Sequence, residues 1–282
     1  MNGTARFVAT LFRSRLGFIG FLLIGAFAMM ALAAPWLSPY DPIHIDLANR
    51  LSPPSLAHLL GTDQSGRDVL SRVIWGARLS LYVGLASVLF GITLGALWGV
   101  VTAYVGGAAD TGSQRVVDCL MALPPIILAL SLMAALGQSV NNVIVALVIL
   151  LTPTAARTLR SVALGVVATP FIEAAEAAGA SRARVIAHHL IPNCLASYIV
   201  LVTTNISYAI VVEASLSFIG AGAPADEPSW GGMLAQGIQA LETAPWMVFF
   251  PGLAISLAVF GLNLLGDSIR DLTDPRLRGG LG

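Results

Sequence analysis

Uncharged stretches on the scale of a bilayer recur along this chain, separated by short polar segments. Leu16–Tyr40, Leu79–Ala109, Cys119–Ala156 and Thr243–Gly266 contain no charged residue, and Leu195–Ser217 contains only Glu213. A helix needs about twenty apolar residues to cross the hydrocarbon core. Cys119–Ala156 is too long for one crossing, and its polar break "GQSVNN" (Gly137–Asn142) divides it in two. The pattern predicts six membrane-spanning helices over residues 16–268. The first follows arginines and holds "ALAAP", as a cleavable leader would. Its uncharged run outlasts a leader's core of about 7–15 residues, which predicts a retained anchor.

Composition places the chain in the same class. It is 56% hydrophobic and 11% charged, with a mean hydropathy of +0.82, whereas soluble domains carry about a quarter charged residues. An all-α membrane protein fits, and the zero net charge gives no sign of a nucleic-acid partner. All fifteen basic residues are arginine. Arg6, Arg13, Arg15, Arg115, Arg157, Arg160, Arg182, Arg184, Arg270, Arg276 and Arg278 fall on the face carrying the termini. Arg50, Arg67, Arg72 and Arg78 fall on the other, among Asp41, Asp46, Asp63 and Asp68. The positive-inside tendency puts the former face in the cytoplasm. Residues 1–15 and 269–282 are then cytoplasmic, and loops of about 41–78 and 218–243 lie outside.

Between the fourth and fifth spans lies "FIEAAEAAGASRARVIAHHLIPN" (Phe171–Asn193), within an inner loop of about 169–192. Thr169-Pro170 suits a helix start, a hydroxyl at the N-cap followed by proline at the first position. Glu173 and Glu176 stand near that positive helix end. Ala174, Ala175, Ala177 and Ala178 leave little side-chain bulk, so another surface can approach closely. Gly179 suits a left-handed C-terminal turn. Ser181 is placed to cap a second short helix carrying Arg182 and Arg184, and Pro192 to turn the chain back into the membrane. The predicted shape is a helix–turn–helix knob in the cytoplasm.

Several chemistries are excluded. A P-loop needs a lysine to reach the nucleotide phosphates, and this chain has none. There is no nucleophile–base constellation and no HExxH, CxxC or paired-carboxylate pattern, so neither a catalytic residue nor a metal site is predicted. Cys119 and Cys194 match no metal or redox spacing and fall beside the reducing face. His188 and His189 in the knob read as packing or hydrogen-bonding groups at an interface.

From Gly66 to Leu81, Val69, Leu70, Val73, Ile74 and Ala77 share one helical stripe, with Asp68 and Arg72 paired at i,i+4. This predicts a separate amphipathic helix, lying on the outer membrane surface or packing over the bundle. Glu213 near the outer end of its span is either a functional group or a structural one reaching the interface. Thr203, Thr204, Asn205 and Ser207 would line a path or bond helices together. Arg115 and Asp118 are spaced for an ion pair before the third span, and "DLTDPRLRG" reads as a polar cap on the sixth.

Four segments carry a resemblance. Glu173-Ala174-Ala175, then Gly179 and Ile191-Pro192, resembles the EAA loop of binding-protein-dependent ABC importer permeases, with His189 where isoleucine is usual and Ile191 where leucine is usual. Gly61–Leu81, Glu213–Leu234 and Pro251–Gly279 resemble stretches of the dipeptide/oligopeptide/nickel permease family, the C-type permease of the peptide systems. The resemblance implies a type I ABC importer permease fold with cytoplasmic coupling helices in a bacterial inner membrane. It implies a homologous second permease, two ABC ATPase subunits or domains holding ATP and Mg, and a periplasmic solute-binding protein. No cofactor would be bound by this chain. The coupling residues implied are Glu173, Ala174, Ala175, Gly179, Ala180, Ser181, Arg182, Ile191 and Pro192. Arg67, Asp68, Arg72 and Trp230 would meet the binding protein. Di- or oligopeptides are the implied solute, with nickel chelates, glutathione, opines or oligosaccharides open. An ion-gradient carrier would need midplane carboxylates or inverted repeats, and neither stands out.

Overall fold

The structure, a computed structural model, describes residues 14–224 and 226–273. Arg6, Arg13, Arg276, Arg278 and most of the C-terminal polar cap lie outside the described residues. Besides a single helical turn at Ala34–Leu37, the α-helices are α1 (Arg15–Leu32), α2 (Val69–Val105), α3 (Gly107–Met121), α4 (Pro125–Leu136), α5 (Val140–Val167), α6 (Pro170–Ala177), α7 (Arg182–Val185), α8 (Ile191–Phe218), α9 (Trp230–Ile238) and α10 (Trp246–Thr273). No strand forms among the described residues.

Among the described residues, five helices are long and apolar enough to cross a membrane: α1, α2, α5, the stretch Arg182–Phe218, and α10. The sixth crossing is met only if α3 and α4 count as one span, and they are bent by 88°. The third span expected from Cys119 is thus met only as this bent pair. With 12 residues, α4 rises about 18 Å, short of the roughly 30 Å core. The bend falls at Ala122–Pro124, and the consecutive prolines Pro124 and Pro125 forbid a continuous helix there. The break at Gly137 is as expected: its φ is +84°, and the Asn142 side-chain amide caps α4 by donating to the carbonyls of Leu136 (2.8 Å) and Gly137 (3.0 Å).

The most extensive helix contact joins α2 to α5. Gly91, Gly95 and Gly99 line the approach. A Cβ at Gly95 would stand 2.4 Å from the Thr152 carbonyl oxygen, and one at Gly99 would stand 2.1 Å from that of Ala156. Backbones this close gain van der Waals contact that lipid cannot supply. The Thr152 hydroxyl donates to the carbonyls of Gly91 (3.2 Å) and Val148 (2.7 Å), bonding the two helices together. α1 packs on α10, and α8 packs on α2, α10 and α9.

Of the two readings of Gly66–Leu81, packing against the bundle holds: from Val69 on, the segment is the first part of α2, continuous with the span and not a separate helix. Val69, Val73, Ile74 and Ala77 are buried, because the stripe packs into the bundle core. Asp68 does not pair with Arg72. It caps α2, accepting from the Ser71 N–H and hydroxyl, both at 2.7 Å, and its other oxygen faces His58 Nδ1 at 3.0 Å. Arg72 turns to Asp63 (3.7 Å). Glu213 does not reach the interface either. It is fully buried and accepts hydroxyls from Ser80 of α2 (3.1 Å) and Ser217 (2.8 Å).

The glycine contact gives a direct test. Gly99→Leu drives a side chain into the α5 backbone and is expected to destabilise by about 3 kcal/mol, abolishing the monodisperse folded peak in detergent. Gly112→Ala, with open space around it, should be neutral or stabilise by up to about 1 kcal/mol. Thermal denaturation followed by size-exclusion chromatography reads both.

Candidate functional site

The loop between α5 and α8 folds as two helices around one turn. Pro170 opens α6 with Glu173 in its first turn, and Thr169 holds the extended backbone of a cap. Its hydroxyl, however, donates back to the Val166 carbonyl and does not cap α6. The other end closes as predicted. Gly179 adopts φ +84°; its N–H reaches the Glu176 carbonyl (2.9 Å) and the Ala180 N–H that of Ala175 (3.1 Å). This paired closure is the Schellman arrangement, which favours glycine. Ser181 then accepts from the Arg184 N–H at 3.4 Å.

The second half departs from the expected short helix. α7 runs through a π turn, Ile186–Leu190, straight into α8. Pro192 does not turn the chain; it sits in the first turn of α8, where its lacking N–H is tolerated. The Ile191 N–H reaches back to the Ile186 carbonyl, an i−5 bond that absorbs one extra residue. The knob is thus α6 set beside the inner end of a continuous rod.

Three attachments hold α6 in place. Ile172 is buried in a cluster with Val185, Leu190 and Cys194, against Val100 and Ala103 of α2 and Leu159 and Ala163 of α5. The Tyr104 hydroxyl, at the inner end of α2, donates to Glu176 Oε1 at 2.6 Å. The Phe171 and His189 rings meet edge-on at 6.1 Å, so His189 serves as a packing surface within the chain. Glu173, Ala174, Gly179, Ser181, Arg182, Ile191 and Pro192 remain exposed, with Ala175 and Ala180 half-buried. One face is anchored and the opposite one is open.

Nearby charges tie α3 to α5. Arg160 makes two 2.6 Å bonds to Asp110, and Arg157 pairs with Asp118. The predicted Arg115–Asp118 pair is loose at 3.9 Å and largely exposed. Cys119 is exposed, Cys194 is buried, and both are free.

The other predicted residues scatter. Asp68, Arg72 and Trp230 are buried, so their side chains offer nothing to an outside partner. Trp230 instead donates to the Val73 carbonyl (3.0 Å). Arg67 bonds Asp63 (2.7 Å) and Gln236 (3.0 Å), clasping the outer loop to α9. In that loop Asp46 is held below the usual carboxylate range, first by the Asn49 amide. Thr203 and Thr204 bond carbonyls of their own helix, and Ser207 bonds Asn263 of α10 (2.7 Å). Asn205 borders a hollow between α4, α5 and α8. Tyr104 and Asn263 escaped sequence reading because each stands alone in an apolar run.

Residues 91–279 match the family described as binding-protein-dependent transport system inner membrane component. Residues 4–54 match the N-terminal TM domain of oligopeptide transport permease C. A Brucella suis protein named for a peptide transport system permease is 42% identical, over 95% of this chain and 90% of its own length. The dipeptide transport system permease protein DppC of Alkalihalophilus pseudofirmus is 39% identical over 94% and 88%. A chain of the MetNI methionine ABC transporter in an inward facing conformation superposes with a TM-score of 0.59, covering 72% of this chain and 96% of that one. At 22% identity this likeness concerns the fold, which is the type I importer fold.

The tether between Tyr104 and Glu176 is separable from folding. Tyr104→Phe removes a bond whose net worth is about 1 kcal/mol, and is expected to raise amide exchange in Pro170–Ala177 about fivefold. Exchange in Val140–Val167 should stay unchanged, as read by hydrogen–deuterium exchange mass spectrometry.

Proposed function

The chain belongs to the family of binding-protein-dependent transport system inner membrane components, and on that premise we propose that it is one permease half of an ATP-driven importer of di- or oligopeptides. The carrying observation is the inner loop: a helix of small residues, open on one face, held to α2 and α5 on the other. A separate ATPase grips the open face through Glu173, Ala174, Ala175, Gly179, Ala180, Ser181, Arg182, Ile191 and Pro192. ATP and Mg are held by that partner, since this chain has no lysine for a P-loop. When the ATPases close, α6 moves with them. Its attachments to α2 and α5 and the adjoining α7–α8 rod pass the displacement to the membrane helices, which switch access to the opposite side. A second permease completes the path, and a solute-binding protein delivers the peptide from outside. Both termini are cytoplasmic, as the arginine distribution indicates.

Reconstitution tests this directly. In liposomes the chain with its second permease, ATPases and loaded binding protein is expected to take up labelled dipeptide only with ATP. Gradient-driven uptake by this chain alone would overturn the proposal. Gly179→Val places a β-branched residue at φ +84°, where it is strained. The variant is expected to insert normally and to lose most ATP-dependent uptake. Normal uptake would remove the turn from the coupling mechanism.

A further inference from the structure

We propose that a hollow between α2, α5 and α8 is a binding site for one acyl chain of a phospholipid, and that this chain completes the packing beneath α6. The hollow has a volume of about 150 Å³. Its floor is formed by the buried Val100, Leu159 and Cys194. Leu97, Ile191 and Leu195 form its rim and are 45%, 37% and 49% exposed, so it opens away from the bundle. Thr93, at its far end, stands about 18 Å along α2 from the terminus at Val105, and Val100 about 8 Å. Half of a roughly 30 Å hydrocarbon core is about 15 Å. The hollow therefore lies at the depth of one leaflet's acyl chains, on the side of α6.

The lining decides the occupant. The hydroxyls of Thr93 and Tyr198 face each other at 2.8 Å and are engaged with one another, and the remaining side chains are apolar. A peptide would bring N–H and C=O groups that find no partner here, and an apolar cavity stays dry. A helix of a partner chain is about 10 Å across, too broad to enter. A single hydrocarbon chain meets every limit, and the adjoining leaflet supplies it. Further inward on the same rod, about 10 Å from Ile191, Arg184 is exposed and its side chain makes no ion pair among the described residues. Its guanidinium suits the headgroup phosphate of the same lipid. The site also bears on the inner loop. Val100, Leu159 and Cys194 belong to the cluster that buries Ile172 of α6. An acyl chain in the hollow packs against the same three side chains, and its departure removes those contacts.

The test places the full chain in nanodiscs of phosphatidylethanolamine with phosphatidylglycerol carrying a diazirine on one acyl chain. After photolysis, adducts on Leu97, Ile191 and Leu195 are expected about fivefold above those on Leu22 and Met29, exposed positions of α1. Equal yields would mean surrounding lipid only and overturn the site. Ala96→Phe, inside the hollow, and Leu195→Phe, at its rim, each plug it. Pocket adducts should fall about fivefold with α1 adducts unchanged, and Leu195→Phe, being at the surface, keeps the measurement available if Ala96→Phe does not fold. Unchanged pocket adducts in a folded plugged variant would overturn the site as well. Arg184→Gln should lower them about threefold; no change would reject the phosphate contact and leave the chain without its headgroup. The packing role has its own readout. In detergent, adding phosphatidylglycerol back to the delipidated chain is expected to slow amide exchange in Pro170–Ala177 about threefold, and not in a plugged variant. An equal response in both would overturn that role. No readout requires transport, so failure here is distinct from failure of the importer reading.

Discussion

Two helix backbones in contact, with no side chain between them, set the frame of this molecule. Gly95 and Gly99 of α2 lie against the carbonyls of Thr152 and Ala156 in α5, and little else in the fold has comparable freedom to choose its partner. In lipid there is no hydrophobic gain from pairing two apolar helices, so close approach and shared hydrogen bonds decide the pairing. Once α2 and α5 are fixed, their inner ends define the cradle for Ile172 and α6. The outer end of α2, capped by Asp68, defines where Trp230 and the outer loop dock.

Much of this was legible because lipid imposes a simple rule: runs without charge are spans. Where the reading strayed, the rule was blind to something physical. It counts apolar residues but not direction, so it ran a straight helix through Leu123–Pro125, where adjacent prolines bend the chain. It treated Arg72 and Arg78 as a boundary and started the second span late. Arg72 is in fact buried beside Asp63, a pairing across a loop that linear sequence does not display.

The inner loop was the more legible part of the site. Its turn obeys local rules: only glycine sits comfortably at Gly179, and Ser181 caps its neighbour. Of the two readings of the fifth span's polar groups, bonding helices together holds for Ser207, which reaches Asn263 of α10, while Thr203 and Thr204 satisfy themselves on their own helix. Which way each hydroxyl faces is a tertiary property that the sequence does not display. Tyr208, which looks like ordinary membrane filler in sequence, is the one that stands open.

The continuity of α7 with α8 has a mechanical meaning. Arg182 and Tyr208 belong to one rod, separated by about 40 Å of helix at 1.5 Å per residue. A tilt imposed at one end reaches the other without passing through any loose joint except the π turn at Ile186–Leu190. That turn acts as a compliant segment in an otherwise stiff shaft. In the proposed coupling, a displacement of α7 reaches the far end of α8 less whatever this turn absorbs as local flexing.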